Sequence, residues 1–239
     1  MSTIPEVIGR VLPEVRPYTG VPDEGVAWTI QLALESIEHH IPGDLVECGV
    51  WMGGCSFAML LAQRYYFGEI VRPVWMYDSF EGMSEPTDED GYRARWWMKQ
   101  ALETKDEGAE KQKNWCIAPV AQVIENAHKL GLREHTIIVP GWLNETLPFY
   151  KPRRIAVLRV DCDWYAPVKC VLEELAPQVS TGGPIIMDDY EAWEGCVLAT
   201  HEYLAKNQLP WRIRTTPGLN GAWIIKGPPH VVAPPWGKA

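Results

Sequence analysis

Five short apolar runs recur along this chain: DLVECGV (Asp44–Val50), PVWMYD (Pro73–Asp78), HTIIVP (His135–Pro140), RIAVLRVD (Arg154–Asp161) and GPIIMDD (Gly183–Asp189). Helix-like stretches separate them, and short buried strands alternating with helices predict a parallel sheet covered on both faces, an α/β fold. Asp23 to His40 carries Val26, Ile30, Leu34 and Ile37 at helical spacing, with Asp23 placed to cap its start and Pro42-Gly43 to end it. After the first run, WMGG supplies a glycine turn and CSFAMLLAQRYY a helix. A last helix is expected around Trp193 to Lys206. WRIRTT and GAWIIK then flank the turn-rich PGLNG, as in an antiparallel hairpin closing the sheet edge.

A length of 239 residues suits one sizeable core and leaves a second full domain cramped, so residues 1–239 read as one domain with a helical N-terminal segment at 1–43. Residues 83–118 fall outside the repeating unit. They are strongly charged yet contain Tyr92, Trp96 and Trp97, which suits either a lid with an aromatic underside or a solvated insertion. The end, 227–239, holds four prolines and is expected to be extended. Thirty-one acids against twenty-two Lys and Arg give a net charge of −9, with no broad cationic face for a nucleic acid. No uninterrupted apolar run reaches the roughly 18 residues of a membrane span. Pro5 and Glu6 stand where a signal peptide needs early positive charge and apolar residues, so cytoplasm is the expected location. The six cysteines show neither a zinc spacing nor a disulfide framework.

Ligands of open parallel sheets sit beyond the carboxyl ends of the strands, and here those ends are acidic. The first run contains Glu47 and leads into Gly49 and Gly53-Gly54; the second ends at Asp78, the fourth at Asp161 and Asp163, the fifth at Asp188 and Asp189. Carboxylates crowded at one edge repel each other unless a cation or a set of hydroxyls binds among them; solvated loop acids are the plainer alternative. The first turn lacks G-x-G-x-x-G spacing, and Glu47 would repel a pyrophosphate. Asp78, 24 residues beyond Gly54, stands where a carboxylate can accept ribose hydroxyls. An adenosine-bearing, phosphate-free, positively charged cofactor fits, and S-adenosylmethionine meets all three conditions. Asp161, Asp188 and Asp189 offer only carboxylate oxygen, which favours a hard divalent cation such as magnesium over zinc. Such an ion lowers the pKa of a bound hydroxyl, and Asp163 could take the proton. An ordinary Asp, with a pKa of about 3.9, is too weak a base unless its neighbours raise it. The competing role for Asp163 is to cap a helix beginning near Tyr165.

PGDLVECGVWMGG, YDSFEGMSEPTDED, PGWLNETLP, LRVDCDWY and GGPIIMDDY, in this order, resemble the macrocin O-methyltransferase family of magnesium- and S-adenosylmethionine-dependent sugar methyltransferases, from about Arg16 to Lys226. The resemblance implies a class I methyltransferase fold with seven strands, the last antiparallel. It implies Glu47, Gly49, Val50, Gly53 and Gly54 around the methionine part of the cofactor, Asp78 on the ribose, and Ser79 and Phe80 beside the adenine. Gly141, Trp142 and Asp161 would border the cofactor too, and Thr19, in RPYT, would fold over it. It also implies Asp161, Asp188 and Asp189 as metal ligands and Asp163 as general base, with Asp161 and Asp163 the catalytic pair. Cys162 replaces the glycine of the family's Asp-Gly-Asp, and Ala166-Pro167 replaces residues usually polar; both changes bear on the acceptor.

The expected reaction is methyl transfer to a hydroxyl of a sugar, free or within a small molecule or oligosaccharide. The alternatives are a phenolic or catechol-like acceptor, a non-catalytic cofactor- or saccharide-binding protein, and, more remotely, a nicotinamide oxidoreductase. Of the histidines, His39 and His40 sit at a helix end, and His128, His135, His201 and His230 fall in no motif. Trp51, Trp142 and Trp164 lie inside the matched motifs, whereas the other nine tryptophans read as packing or lid residues. The resemblance implies pairing through the N-terminal region and lid; the residues alone leave the oligomeric state open.

Overall fold

The computed structural model describes residues 2–103, 116–215 and 219–227. Seven strands form one sheet: β1 (Asp44–Cys48), β2 (Val74–Asp78), β3 (Thr136–Pro140), β4 (Ile155–Val160), β5 (Pro184–Met187), β6 (Ile213–Thr215) and β7 (Ala222–Ile225). Their order is β3-β2-β1-β4-β5-β7-β6. The first five are parallel, and β7 lies antiparallel between β5 and β6. The hairpin expected at the edge is therefore present, with its second strand inserted inward; residues 216–218 of its turn lie outside the described residues.

The helices are α1 (Ile4–Val15), α2 (Asp23–Glu38), α3 (Gly54–Phe67), α4 (Gly91–Glu103), α5 (Val120–Lys129), α6 (Leu143–Thr146), α7 (Tyr165–Leu175) and α8 (Glu194–Lys206). Pro5 and Glu6 start α1, the proline in its first turn and Glu6 closing a capping box with Thr3. Asp23 does not cap α2: Pro22 occupies that position, and the Asp23 carboxylate accepts from Arg16 Nη1 at 2.7 Å. One face of the sheet packs on α1, α2, α3 and α5 through Val11, Ile30, Leu34, Phe57, Met59 and Val123. The other packs on α7 and α8 through Val46, Leu158, Val171, Leu172 and Ala199. Among the described residues, no helix is long and apolar enough to cross a membrane.

From β1 the chain builds outward to β2 and β3 and then returns to lay β4 and β5 on the other side. Neighbouring connections thus diverge between β1 and β4, which opens a crevice at the carboxyl edge. The ladder runs one residue past the strands at this edge. Gly141 N–H donates to Asp78 O, Gly49 to Tyr77 O, Asp161 to Cys48 O and Asp188 to Val160 O, each at 2.9 Å. The residues leaving β1, β3, β4 and β5 are therefore fixed in register with one another.

Candidate active site

The turn after β1 depends on the absence of side chains. Gly49 has φ +83°, and a Cβ there would lie 1.7 Å from the Asp161 carbonyl oxygen. At Gly54 a Cβ would lie 2.4 Å from Thr19 Cβ, because the segment before α2 crosses directly above. Arg16 holds that segment: its Nη2 donates to Thr19 O at 2.6 Å and to Val21 O at 2.7 Å.

Asp78 ties the turn to β2. Its Oδ2 accepts from Val50 N at 2.7 Å and Trp51 N at 2.9 Å, and its Oδ1 from Phe80 N at 2.6 Å. A carboxylate has about four lone-pair sites. Three are taken, which leaves about one for a ribose hydroxyl. Burial raises the Asp78 pKa, and the three backbone donors oppose the shift.

A cavity of about 830 Å³ opens above this edge, toward the upper end of the roughly 300–1,000 Å³ common for ligand pockets. Of the residues expected at a cofactor, Thr19, Glu47, Gly49, Val50, Asp78, Ser79, Trp142 and Asp161 line it. Gly53, Gly54 and Gly141 stand behind as turn residues, Gly53 and Gly141 at φ +101° and +133°. Phe80 is buried in the core cluster and does not line the cavity. Asp163, Asp188 and Asp189 line the same space, so both expected constellations share it.

Between them lies a residue the sequence reading passed over. Arg159, the penultimate residue of fully buried β4, is completely inaccessible. Its Nη1 donates to Glu47 Oε1 at 3.0 Å and Asp161 Oδ2 at 2.5 Å, its Nη2 to Asp188 Oδ1 at 2.6 Å, and its Nε to Thr29 Oγ1 at 3.3 Å. The signal was a lone arginine inside RIAVLRVD, since a buried guanidinium requires carboxylates around it. Burial pushes Glu47 up to about 7, against the pull of Arg159 and of the Ser56 hydroxyl, which donates to Oε2.

The carboxylate oxygens that converge belong to Asp161, Asp163 and Asp189, which lie within 4.8 Å of one another. This trio shares Asp161 and Asp189 with the expected metal set, while Asp188 has one oxygen committed to Arg159. Burial raises the Asp188 pKa to about 6 despite Arg159, and that of Asp163 to about 8 with help from Asp161 and Asp188. Burial and the three other aspartates push Asp189 well above the carboxylate range. A set of oxygen-only donors in which Asp163, Asp188 and Asp189 resist ionisation fits a hard divalent cation, whose charge would relieve those three.

Asp163 is not a helix cap. Trp164 holds the N-cap position of α7, and Asp90, from the base of the insertion, takes the first amide: Tyr165 N–H donates to its Oδ1 at 2.5 Å. Asp163 instead sits at φ +56°, with Trp164 N–H donating to Cys162 O at 2.6 Å across it. The insertion returns to the site through α4. Trp97 packs edge-on against Trp193, and Arg93 Nη1 donates to Ala192 O at 3.0 Å. Residues 104–115 of the insertion, and 228–239 with His230, lie outside the described residues. None of the other five histidines lines the cavity.

A family model of the macrocin O-methyltransferases, TylF, matches residues 18–223. An 8-demethyl-8-(2,3-dimethoxy-alpha-L-rhamnosyl)-tetracenomycin-C 4'-O-methyltransferase of Streptomyces olivaceus is 34% identical over 221 residues, 92% of this chain and 79% of the relative. A demethyldecarbamoylnovobiocin O-methyltransferase of Streptomyces niveus is 35% identical over 177 residues, 74% of this chain but only 63% of the relative. The solved structure of the O-methyltransferase NovP superposes with a TM-score of 0.75 at 31% identity, covering 88% of this chain and 83% of that one. The fold is that of class I S-adenosylmethionine-dependent methyltransferases, and the seven-strand order with β7 reversed agrees with it. Similarity at this level, running from the segment above the glycine turn to β7, means that the chain is an O-methyltransferase and belongs to the macrocin O-methyltransferase family.

Proposed function

We propose that this protein transfers the methyl group of S-adenosylmethionine to a sugar hydroxyl of a glycosylated small molecule, with magnesium bound among the aspartates after β4 and β5. The supporting observation is that the glycine turn and the trio Asp161, Asp163 and Asp189 face one cavity. Arg93 is the only cationic side chain among the described residues lining it, so the cavity suits a neutral acceptor better than a phosphorylated one. The relative from Streptomyces olivaceus, named for a rhamnosyl-tetracenomycin, points to the same acceptor class.

In this reading the β1 turn and Asp78 hold the nucleoside and methionine parts of the cofactor, which supplies an electrophilic methyl group. Asp161 and Asp189 would hold the cation, together with the Asp188 oxygen that Arg159 leaves free, and a cation held there would supply positive charge that makes the acceptor hydroxyl more acidic. Asp163 accepts the hydroxyl proton, a task for which its raised pKa suits it. Trp142, Trp164 and Trp193, which line the cavity outside the insertion, would present indole to the acceptor.

The test is an acceptor screen with S-adenosylmethionine and magnesium, read as the mass gain of one methyl group and repeated with a chelator. Methylation of a glycoside that stops on chelation is expected. Full activity in chelator would remove the metal from the proposal, and methylation of phenols alone would replace the acceptor class.

A further inference from the structure

Trp193 stands where the acids meet the insertion, and the role assigned to Asp163 leaves its contacts unexplained. Its backbone N–H donates to Asp189 O at 3.0 Å, which places the ring beside the trio. Its indole Nε1 donates to Asp163 Oδ1 at 3.0 Å. The ring packs edge-on against Trp164, with centroids 5.1 Å apart, and against Trp97 of α4 at 6.0 Å. The Arg93 guanidinium, also on α4, lies 5.2 Å above it. One side chain therefore touches the carboxylate and two residues of the insertion.

Asp163 needs such support. A non-glycine residue at φ +56° persists only where its surroundings over-determine it. Besides the turn itself, Asp163 is held by its own N–H donating to Asp189 Oδ2 at 3.3 Å, a long bond, and by the indole. Indole carries a single donor and no acceptor, so it engages one oxygen of the carboxylate and leaves the other to the cavity.

We propose that Trp193 is a positioning residue for methyl transfer: its indole N–H fixes the rotamer of Asp163, and its ring, seated against Trp97 and Arg93, links that aim to the placement of α4. This rests on the reading of Asp163 as the proton acceptor. A tryptophan that merely filled space would need the ring and not the N–H, so Trp193→Phe separates the two roles.

Two measurements on the full chain test the proposal. The first needs no acceptor: in protein with 15N-labelled indoles, the Trp193 resonance is the one lost in Trp193→Phe. Asp163→Asn is expected to move that resonance more than any other indole, and Arg93→Ala to move it as well. A resonance indifferent to Asp163→Asn would overturn the proposal, and indifference to Arg93→Ala would overturn its link to α4. The second is kinetic, with the rhamnosyl-tetracenomycin glycoside as probe acceptor. Trp193→Phe is expected to lower kcat about 10- to 100-fold, as loss of a hydrogen bond to a charged group does, with KM for S-adenosylmethionine unchanged. The double variant with Asp163→Asn is expected to be no slower than Asp163→Asn alone. Wild-type kcat in Trp193→Phe, or multiplying effects in the double variant, would leave Trp193 a packing residue. Wild-type kcat in Asp163→Asn would instead overturn the role of Asp163, and this inference with it.

Discussion

At the β1–β2 end of the cavity the polar groups are backbone amides already paired with protein, Asp78 holding Val50, Trp51 and Phe80. At the β4–β5 end they are carboxylates that no protein cation fully balances: Arg159 reaches Glu47, Asp161 and Asp188, whereas Asp163 and Asp189 receive none of its hydrogen bonds. At the first end the turn amides are satisfied before a ligand binds, and the tolerances are steric. The second is electrostatically strained without one. A pre-satisfied scaffold suits a cofactor held by shape, while crowded carboxyls of this kind suit the cation proposed above.

The largest effect expected is at the backbone end. Gly49→Ala would drive a methyl group into the Asp161 carbonyl and force an alanine to φ +83°, costing about 4 kcal/mol or more. Urea unfolding measures it, and near-native stability would show that the turn has slack. At the acidic end, Asp189→Asn is expected to cut methyl transfer by about 100-fold or more, as removal of a transition-state charge partner does. The same substitution should raise the Tm of the cation-free protein, because an amide ends the repulsion that keeps the Asp189 carboxyl from ionising. Opposite signs for rate and stability in one variant distinguish this end from the other.

A pH series sharpens the contrast. Asp163 and Asp188 have folded pKa values raised to about 8 and about 6, above an unfolded value of about 3.9. The stability associated with their protonated forms is complete below pH 4 and is lost as pH rises through 6 and 8. Cation-free protein should therefore melt at progressively lower temperature between pH 5 and 8, and saturating magnesium should flatten the curve. A cation-free profile that is already flat would mean the acids are not strained. The smallest effect belongs to Arg16→Ala, which frees the segment above Gly54 at an exposed position. About a five-fold rise in KM for S-adenosylmethionine with unchanged kcat is expected, the size of one surface hydrogen-bond cluster. Unchanged KM would mean that the segment holds its place without the arginine.

Much of the architecture was legible because it is written in local pattern. Short β-branched runs, a glycine turn and Asp or Gly at each strand exit place Gly49, Asp78, Asp161 and Asp188 at one sheet edge before any packing is known. Where residues lie otherwise than their sequence neighbours suggest, the causes are local too. Asp23 preceding an apolar stripe looks like a cap, but Pro22 takes that position and Arg16 takes the carboxylate. Phe80, beside Asp78 in sequence, turns into the core at φ +57° because Asp78 holds its amide.

By itself, the sequence determined which residues reach the site, since strand length and register carry each acid to the same edge. Only the tertiary structure decided what each acid does there. In sequence the carboxylates are chemically alike, and their partners are remote: Arg159 is 112 residues from Glu47, Tyr165 is 75 from Asp90, and Trp193 is 30 from Asp163. A guanidinium buried in β4 commits Asp188 and Asp161, an insertion folded back supplies the cap of α7, and an indole claims one oxygen of Asp163. Hydrogen bonding and desolvation act over a few ångströms, so these assignments exist only once the sheet and the insertion have packed.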